Sequence, residues 1–161
     1  MRVGSGIDVH RFGGSPPVIL GGQEVDGGRG LEATSDGDVV LHALIDALLG
    51  ATALGDLGDH FPSSNDQWQG AASIDLLRRT VRMIAEAGYV VVNADVTVVS
   101  QSVRIAPHRD RMRTTIASAL GIGVDAVSVK ATSTDHIGMI GRDEGIAAIA
   151  TVLVGPAQSS A

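Results

Sequence analysis

The sequence predicts a single α/β domain, and three observations carry that expectation. Runs rich in valine, isoleucine and alanine alternate with segments whose apolar residues recur at helical spacing. The chain has 161 residues, enough for one substantial core and too few for two comfortable ones. Hydrophobic residues make up 44% and charged residues 19%, but aromatics only 2%, so the core has to be aliphatic. Cysteine is absent, which excludes disulfides, thiolate metal sites and thiol catalysis, and fits a reducing cytoplasm.

Residues 1–7 read as an N-terminal strand that carries on to Asp8 and His10. Side chains two apart on a strand share a face, so this carboxylate and imidazole would project together. Residues 11–34 are rich in Gly and Pro, and Val18-Ile19-Leu20 and Gln23-Glu24-Val25 flank Gly21-Gly22 in the pattern of a small hairpin. Ser35-Asp36-Gly37-Asp38 reads as a helix start. Ser35 would be the N-cap with an acid three residues on, and Asp36 and Asp38 would sit where the helix dipole favours negative charge. The helix runs from Val39 to about Leu49, ends at Gly50 or Gly55, and buries Leu41, Leu44, Ile45 and Leu48. His42 falls beside that stripe. Helical side chains lean toward the N-terminus, so Asp46 would be the acid best placed to reach its imidazole.

Residues 55–64 form a polar loop that could be a solvated turn or could face a ligand. Residues 71–88 read as an amphipathic helix, with Ile74, Leu77, Val81, Ile84 and Ala85 inward and Gly88 as its stop. Residues 89–99 are dense in valine and read as a long strand. A connector follows, and Pro107 suits the first turn of a helix from about His108 to Leu120, whose Arg109, Arg111 and Arg113 read as surface charges. Residues 127–131 form a short strand feeding a turn of hydroxyls and an acid (residues 132–138). Residues 145–154 make a buried last strand. The domain is expected over residues 1–155, with 156–161 as a flexible tail.

Lys and Arg total 12 against 18 Asp and Glu, a net charge of −6. That balance argues against nucleic acid as a partner. No apolar run approaches the roughly 20 residues of a membrane span. An acidic chain that handles a phosphorylated substrate needs metal ions, backbone amides or a few placed arginines to offset repulsion. Asp8, His10 and His42 supply one carboxylate and two imidazoles, a three-ligand set for catalytic zinc with the fourth position open. The same residues would also suit an ordinary surface hydrogen bond and a histidine packed at a helix edge.

Taken together the motifs are more specific. Gly4-x-Gly6-x-Asp8-x-His10, Ser35-Asp36-Gly37-Asp38-Val39, Leu41-His42-Ala43, Asp46-Ala47-Leu48-Leu49-Gly50, Leu54-Gly55-Asp56-Leu57-Gly58, His60-Phe61-Pro62, Lys130-Ala131-Thr132 and Gly141-Arg142-x-Glu144-Gly145-Ile146 follow in order. Over residues 1–154 the chain resembles the 2-C-methyl-D-erythritol 2,4-cyclodiphosphate synthase family of the non-mevalonate isoprenoid pathway. The resemblance implies a homotrimer with sheets facing the threefold axis, helices outside, and active sites between neighbours. It also implies cyclisation of 4-diphosphocytidyl-2-C-methyl-D-erythritol 2-phosphate with release of CMP. Asp8, His10 and His42 would hold Zn(2+), and Asp135 would hold a Mg(2+) or Mn(2+) on the substrate diphosphate.

By the same resemblance Ser35, Asp56, Leu57 and Gly58 line the substrate site, with Asp56 and Gly58 at the ribose. Phe61, Pro62, Ser63, Ser64 and Asn65 line the methylerythritol pocket. Ser100, Gln101, Ser102, Val103, Arg104, Ile105 and Ala106 read cytosine through their backbone. Thr132, Ser133, Thr134 and Asp135 meet the phosphates, and Met139 and Arg142 lie by an axial channel that can take an isoprenoid diphosphate. Thr34, Ser133 and Asp135 are the catalytic residues that the resemblance implies beside the reacting phosphates.

The chain departs from the family at several of these positions. Thr34 stands where a histidine is usual, Ser63 where aspartate is common, Ser133 for threonine, Asp135 for glutamate and Met139 for phenylalanine; His136 and Asp143 are further substitutions. A lost charge-assisted bond is worth roughly 1.5–3 kcal/mol, so Thr34 is expected to lower turnover by about ten- to a hundredfold. The alternative is a low-activity family member that binds cytidine nucleotide or isoprenoid diphosphate. A simple zinc phosphohydrolase is a third reading, which would release free monophosphates.

Overall fold

The computed structural model describes residues 1–157. Its elements in chain order are β1 (Arg2–Arg11), β2 (Val18–Leu20), β3 (Gln23–Asp26), α1 (Val39–Thr52), α2 (Leu57–His60), α3 (Ser73–Glu86), β4 (Tyr89–Val99), α4 (Arg109–Leu120), β5 (Val127–Thr132), α5 (Gly138–Gly141) and β6 (Gly145–Pro156). The main sheet has the order β1-β6-β4-β5, with β6 antiparallel to both neighbours and β4 parallel to β5. β2 and β3 form the hairpin expected around Gly21-Gly22.

Helices α1, α3 and α4 pack on one face of this sheet and on one another, which makes the α/β architecture two-layered. α1 lies against β1, β6 and β4 with α3 on its other side, so it is buried almost all round. The stripe of Leu41, Leu44, Ile45 and Leu48 is therefore joined by Val39, Val40, Ala43, Ala47 and Leu49 in the core. On α3 the buried side is Ser73, Leu76, Leu77, Thr80 and Ile84. Ile74 and Val81 are half-buried, and Ala85, expected inward, is exposed.

The other face of the sheet carries no helix among the described residues. Val3, Ile7 and Val9 of β1 and Ile149 of β6 are exposed there, with Ile7 at 62%. Strand alternation places them opposite the helix-facing Gly4, Gly6, Asp8 and His10.

Three local boundaries differ from the sequence reading. The N-cap of α1 is Asp38, not Ser35: its carboxylate accepts from the amides of Val40 and Leu41 (3.1 Å each) and also from Gly21 (2.9 Å) and Gly22 (2.7 Å). Those two hairpin glycines select it among the polar residues of the motif. α1 passes Gly50 and stops at Ala53, which adopts the left-handed conformation (φ 58°) and returns its amide to Gly50. The polar loop after it contains α2, a single turn closed by a reciprocal cap between Asp56 and Asp59. At the far end β6 runs through Pro156, and the Ala157 amide donates to Gly88. Residues 158–161 of the expected tail lie outside the described residues.

Candidate active site

The site begins with two glycines. Gly4 and Gly6 share the helix-facing side of β1 with Asp8 and His10, and a Cβ on them would overlap the carbonyls of Ala47 and Ala43 in α1. Without side chains there, α1 closes onto the strand and lays His42 against Asp8. Asp8 Oδ2 is 2.9 Å from His42 Nδ1 and 3.1 Å from His10 Nε2. One ligand atom from each residue lies within 4.8 Å of the others, the one such cluster among the described residues.

Each imidazole has its second nitrogen tied down. His10 Nδ1 donates to the Glu32 carbonyl (2.7 Å), which leaves the Nε2 lone pair aimed at the centre. His42 Nε2 lies 2.9 Å from the hydroxyl of Ser73, which in turn donates to Asp36; that hydroxyl therefore accepts, and His42 carries its proton on Nε2. The Asp36 carboxylate also accepts the Ser73 amide (2.9 Å), and Ser35 Oγ lies 3.1 Å from the same imidazole nitrogen. The two rings are thus set in opposite tautomers with their free lone pairs converging. Burial raises the pKa of Asp8, but the hydrogen bonds and positive charge that the His10 and His42 rings offer when protonated outweigh it and hold the carboxyl well below the usual range. The Asp8 hydrogen bond is also the main reason the pKa of His10 is raised.

This donor set fits zinc. A tetrahedral ion with bonds of about 2.1 Å holds its ligands about 3.4 Å apart, close to the spacings here, and a carbonyl or hydroxyl behind each histidine is the usual support of such a centre. The three residues open into a cleft of about 280 Å³ also lined by Thr34, Ser35, Leu57, Gly58, Phe61 and Ser63. Asp46 lines it too, as do Ala33, Trp68 and Leu76, three residues not expected there.

Asp46 does not back His42. Its Oδ1 accepts the Leu57 amide (2.8 Å) and so anchors the start of α2, while Ser73 takes the place expected of it. Asp56 caps α2 and faces an adjoining hollow with Asp46, Ser5 and Ile7. Pro62, Ser64 and Asn65 do not line the cleft; Asn65 caps the turn at Asp66–Trp68.

The remaining expected residues gather elsewhere. The Ser100 amide donates to the Thr132 carbonyl (3.0 Å), and Ser100 Oγ accepts the Val103 amide (3.1 Å). The side chains of Val103 and Ile105 are buried, while Ser102, Arg104 and Ala106 are exposed. Asp135 is exposed with φ 49°, and it forms no ion pair among the described residues. Met139 is exposed, and Arg142 pairs with Glu144 at 2.6 Å. Arg113 donates to the carbonyls of Val127 (2.8 Å) and Val124 (2.9 Å), tying α4 to β5, while Arg109 and Arg111 are exposed.

The register aligns Val9, Ala147, Val99 and Thr132 across the sheet, so both clusters lie at one end of it. Three strand spacings put them about 14 Å apart.

A two-layer α/β domain with an Asp-His-His cluster able to hold a metal at one sheet edge, opening into a cleft, has the form of an enzyme site. Residues 1–155 match the YgbB family, and the chain belongs to it. It is 53% identical over 154 residues to the 2-C-methyl-D-erythritol 2,4-cyclodiphosphate synthase of Erwinia tasmaniensis, covering 96% of this chain and 98% of that one. The bifunctional IspDF of Campylobacter jejuni shares the fold with a TM-score of 0.93 at 37% identity, over 96% of this chain and 42% of that longer one. IspF of Plasmodium falciparum, solved as a CDP complex, aligns with a TM-score of 0.84 at 28% identity over 98% and 97% of the two chains.

Proposed function

We propose that this chain converts 4-diphosphocytidyl-2-C-methyl-D-erythritol 2-phosphate to 2-C-methyl-D-erythritol 2,4-cyclodiphosphate and CMP in non-mevalonate isoprenoid biosynthesis. The observation that carries the reading is the converging Asp8, His10 and His42 set, found in a chain 53% identical to a protein of that name. In the reaction a 2-phosphate oxygen bonds to the β-phosphorus as the bond from that phosphorus to the CMP oxygen breaks. The nucleophile is already an anion, so the protein has to align the phosphates and offset their charge, with no general base.

Asp8, His10 and His42 would hold zinc. Zinc there supplies Lewis acidity toward a phosphate oxygen and part of the missing positive charge. Asp135, a lone exposed carboxylate, suits Mg(2+) or Mn(2+), which takes one or two carboxylates together with substrate phosphates. Thr34 presents a neutral hydroxyl to the cleft, Ser35 braces His42, and Asp56 and Gly58 are assigned to the ribose. Phe61 and Ser63 would meet the methylerythritol, residues 100–106 the cytosine, and Thr132 and Ser133 the phosphates.

The two clusters are completed, on this reading, between neighbouring copies of a homotrimer. Its axis would be lined by the apolar open face, where Val3, Ile7 and Ile149 otherwise stay in water. An isoprenoid diphosphate would sit on that axis by Arg142 and Met139. The activity is assigned to the cytoplasm; among the described residues no helix is long and apolar enough to cross a membrane.

The test is to supply the substrate with Zn(2+) and Mg(2+) and follow phosphorus resonances. One CMP and one cyclic diphosphate should appear per substrate consumed. No CMP above background would leave only the binding reading, and free monophosphates would favour the phosphohydrolase. In the same assay Thr34→His is expected to raise kcat by about tenfold or more.

A further inference from the structure

Residues 100–106 are held by more than their place between β4 and α4. Ser102 Oγ donates to Asp143 Oδ1 (2.6 Å) and accepts from Arg29 Nη2 (2.7 Å). Arg29 Nη1 donates to Asp143 Oδ2 (2.8 Å), closing a three-membered ring of charge-assisted bonds. Arg29 Nε then reaches back to Asp26 Oδ2 (2.8 Å), and the guanidinium lies 4.1 Å from the ring centre of Phe12. One arginine thus ties together the β2–β3 hairpin, the segment after β4 and the turn before β6.

Backbone strain marks the same place. Asp143 has φ 59°, a left-handed conformation that a side chain makes costly and glycine would adopt freely. In that conformation its carboxylate meets both Arg29 and Ser102. One residue from Ser102, the Gln101 side chain accepts the amide of His136 (3.1 Å), which is also left-handed at φ 63°. Strained residues held by several partners tend to cluster where a surface has to keep its shape for a ligand.

We propose that Arg29 and Asp143 are positioning residues that clamp Ser102 and so pre-order residues 100–106 as the nucleotide-reading surface. The inference rests on the assignment of that segment to cytosine under Proposed function. Neither residue contacts Asp8, His10 or His42, although Arg29 lies over Phe12, two positions beyond His10. The clamp therefore governs nucleotide affinity and leaves metal binding alone. A segment assigned to read its ligand through the backbone gains from being ordered in advance, because the ordering entropy is then not spent on binding.

Asp143→Gly separates this role from a merely structural one. It keeps the left-handed backbone without strain, so thermal stability should hold, yet it removes both carboxylate bonds. Three measurements on wild type, Asp143→Gly and Arg29→Gln decide the matter: calorimetric titration with CMP, the kcat and KM of CMP release, and hydrogen exchange of the amides in residues 101–106 without nucleotide. Both variants are expected to bind CMP about tenfold more weakly, with a matching rise in KM, an unchanged kcat and full zinc content. Their amides in this segment should also exchange faster.

Unchanged exchange in both variants would overturn the clamp. Faster exchange with CMP affinity still within twofold of wild type would overturn its role in nucleotide binding. A wild-type protein that does not bind CMP would overturn the cytosine assignment and that role with it, while the exchange data would still decide whether the clamp orders the segment.

Discussion

The two ends of the four-strand row are built on different principles. At the β1 edge, function-bearing side chains sit on regular structure, and their geometry follows from two glycines that let a helix close on a strand. His42 is 7% exposed, and Ser73 and Asp38 are fully buried. At the β5 edge the expected ligand contacts lie on exposed loops, and Asp135 and His136 both hold left-handed backbone. One end is fixed by packing and resists rearrangement. The other is fixed by a few polar ties on the surface, each of which can be cut without opening the core. That division suits the proposed reaction, in which a metal centre would stay fixed while a nucleotide enters and leaves.

The contrast can be broken most severely at the buried end. Ser73→Ala removes the hydroxyl that sets the proton on His42 Nε2, and loss of such a supporting partner is expected to weaken zinc binding by about 10–100-fold. Competition with a chromogenic chelator reads this directly; zinc affinity equal to wild type would show that the tautomer is set in some other way.

A smaller effect is expected one turn away. Burial raises the pKa of Asp38 to about 6, against the four backbone amides that favour its charged form. With the folded value above the unfolded 3.8, the stabilisation from its proton is complete below 3.8 and lost as pH rises through about 6. Asp38→Asn has no such proton and sets an amide group against a backbone N–H, a mismatch costing about 1–3 kcal/mol. Denaturant titration should find the gap between wild type and variant wider at acid pH than at neutral pH. A gap independent of pH would contradict the burial argument.

The same contrast explains what could be read from the sequence. Long elements with a strong period were legible: residues 89–99 form the strand that their valines indicate, and the Asp-x-His pair shares one strand face as the period of two requires. The hairpin followed from Gly21-Gly22. Choices among equivalent local signals were not. Ser35, Asp36 and Asp38 all suit a helix start, and the amides of Gly21 and Gly22, far along the chain, select Asp38.

Ser73 offered no local cue, because its role depends on α3 packing against α1, 31 residues beyond His42. Asp46 had the right helical spacing for the imidazole, but the free amide at the start of α2 claims it. The ring of Arg29, Ser102 and Asp143 joins residues up to 114 positions apart and has no periodic signature at all.

On the proposed function the two ends serve one reaction by pairing across neighbouring copies. Asp8→Asn disables the metal end and Thr132→Trp blocks the loop end, so each homogeneous variant should be inactive in CMP release. The direct measurement is the rate after the two are unfolded together, mixed in equal amounts and refolded. In a ring of like interfaces each site draws one end from each neighbour, and about a quarter of sites then receive two intact ends. Recovery of about a quarter of the wild-type rate is the expected result. A mixture as inactive as its components would contradict pairing across copies and mean that both ends of one site come from one chain.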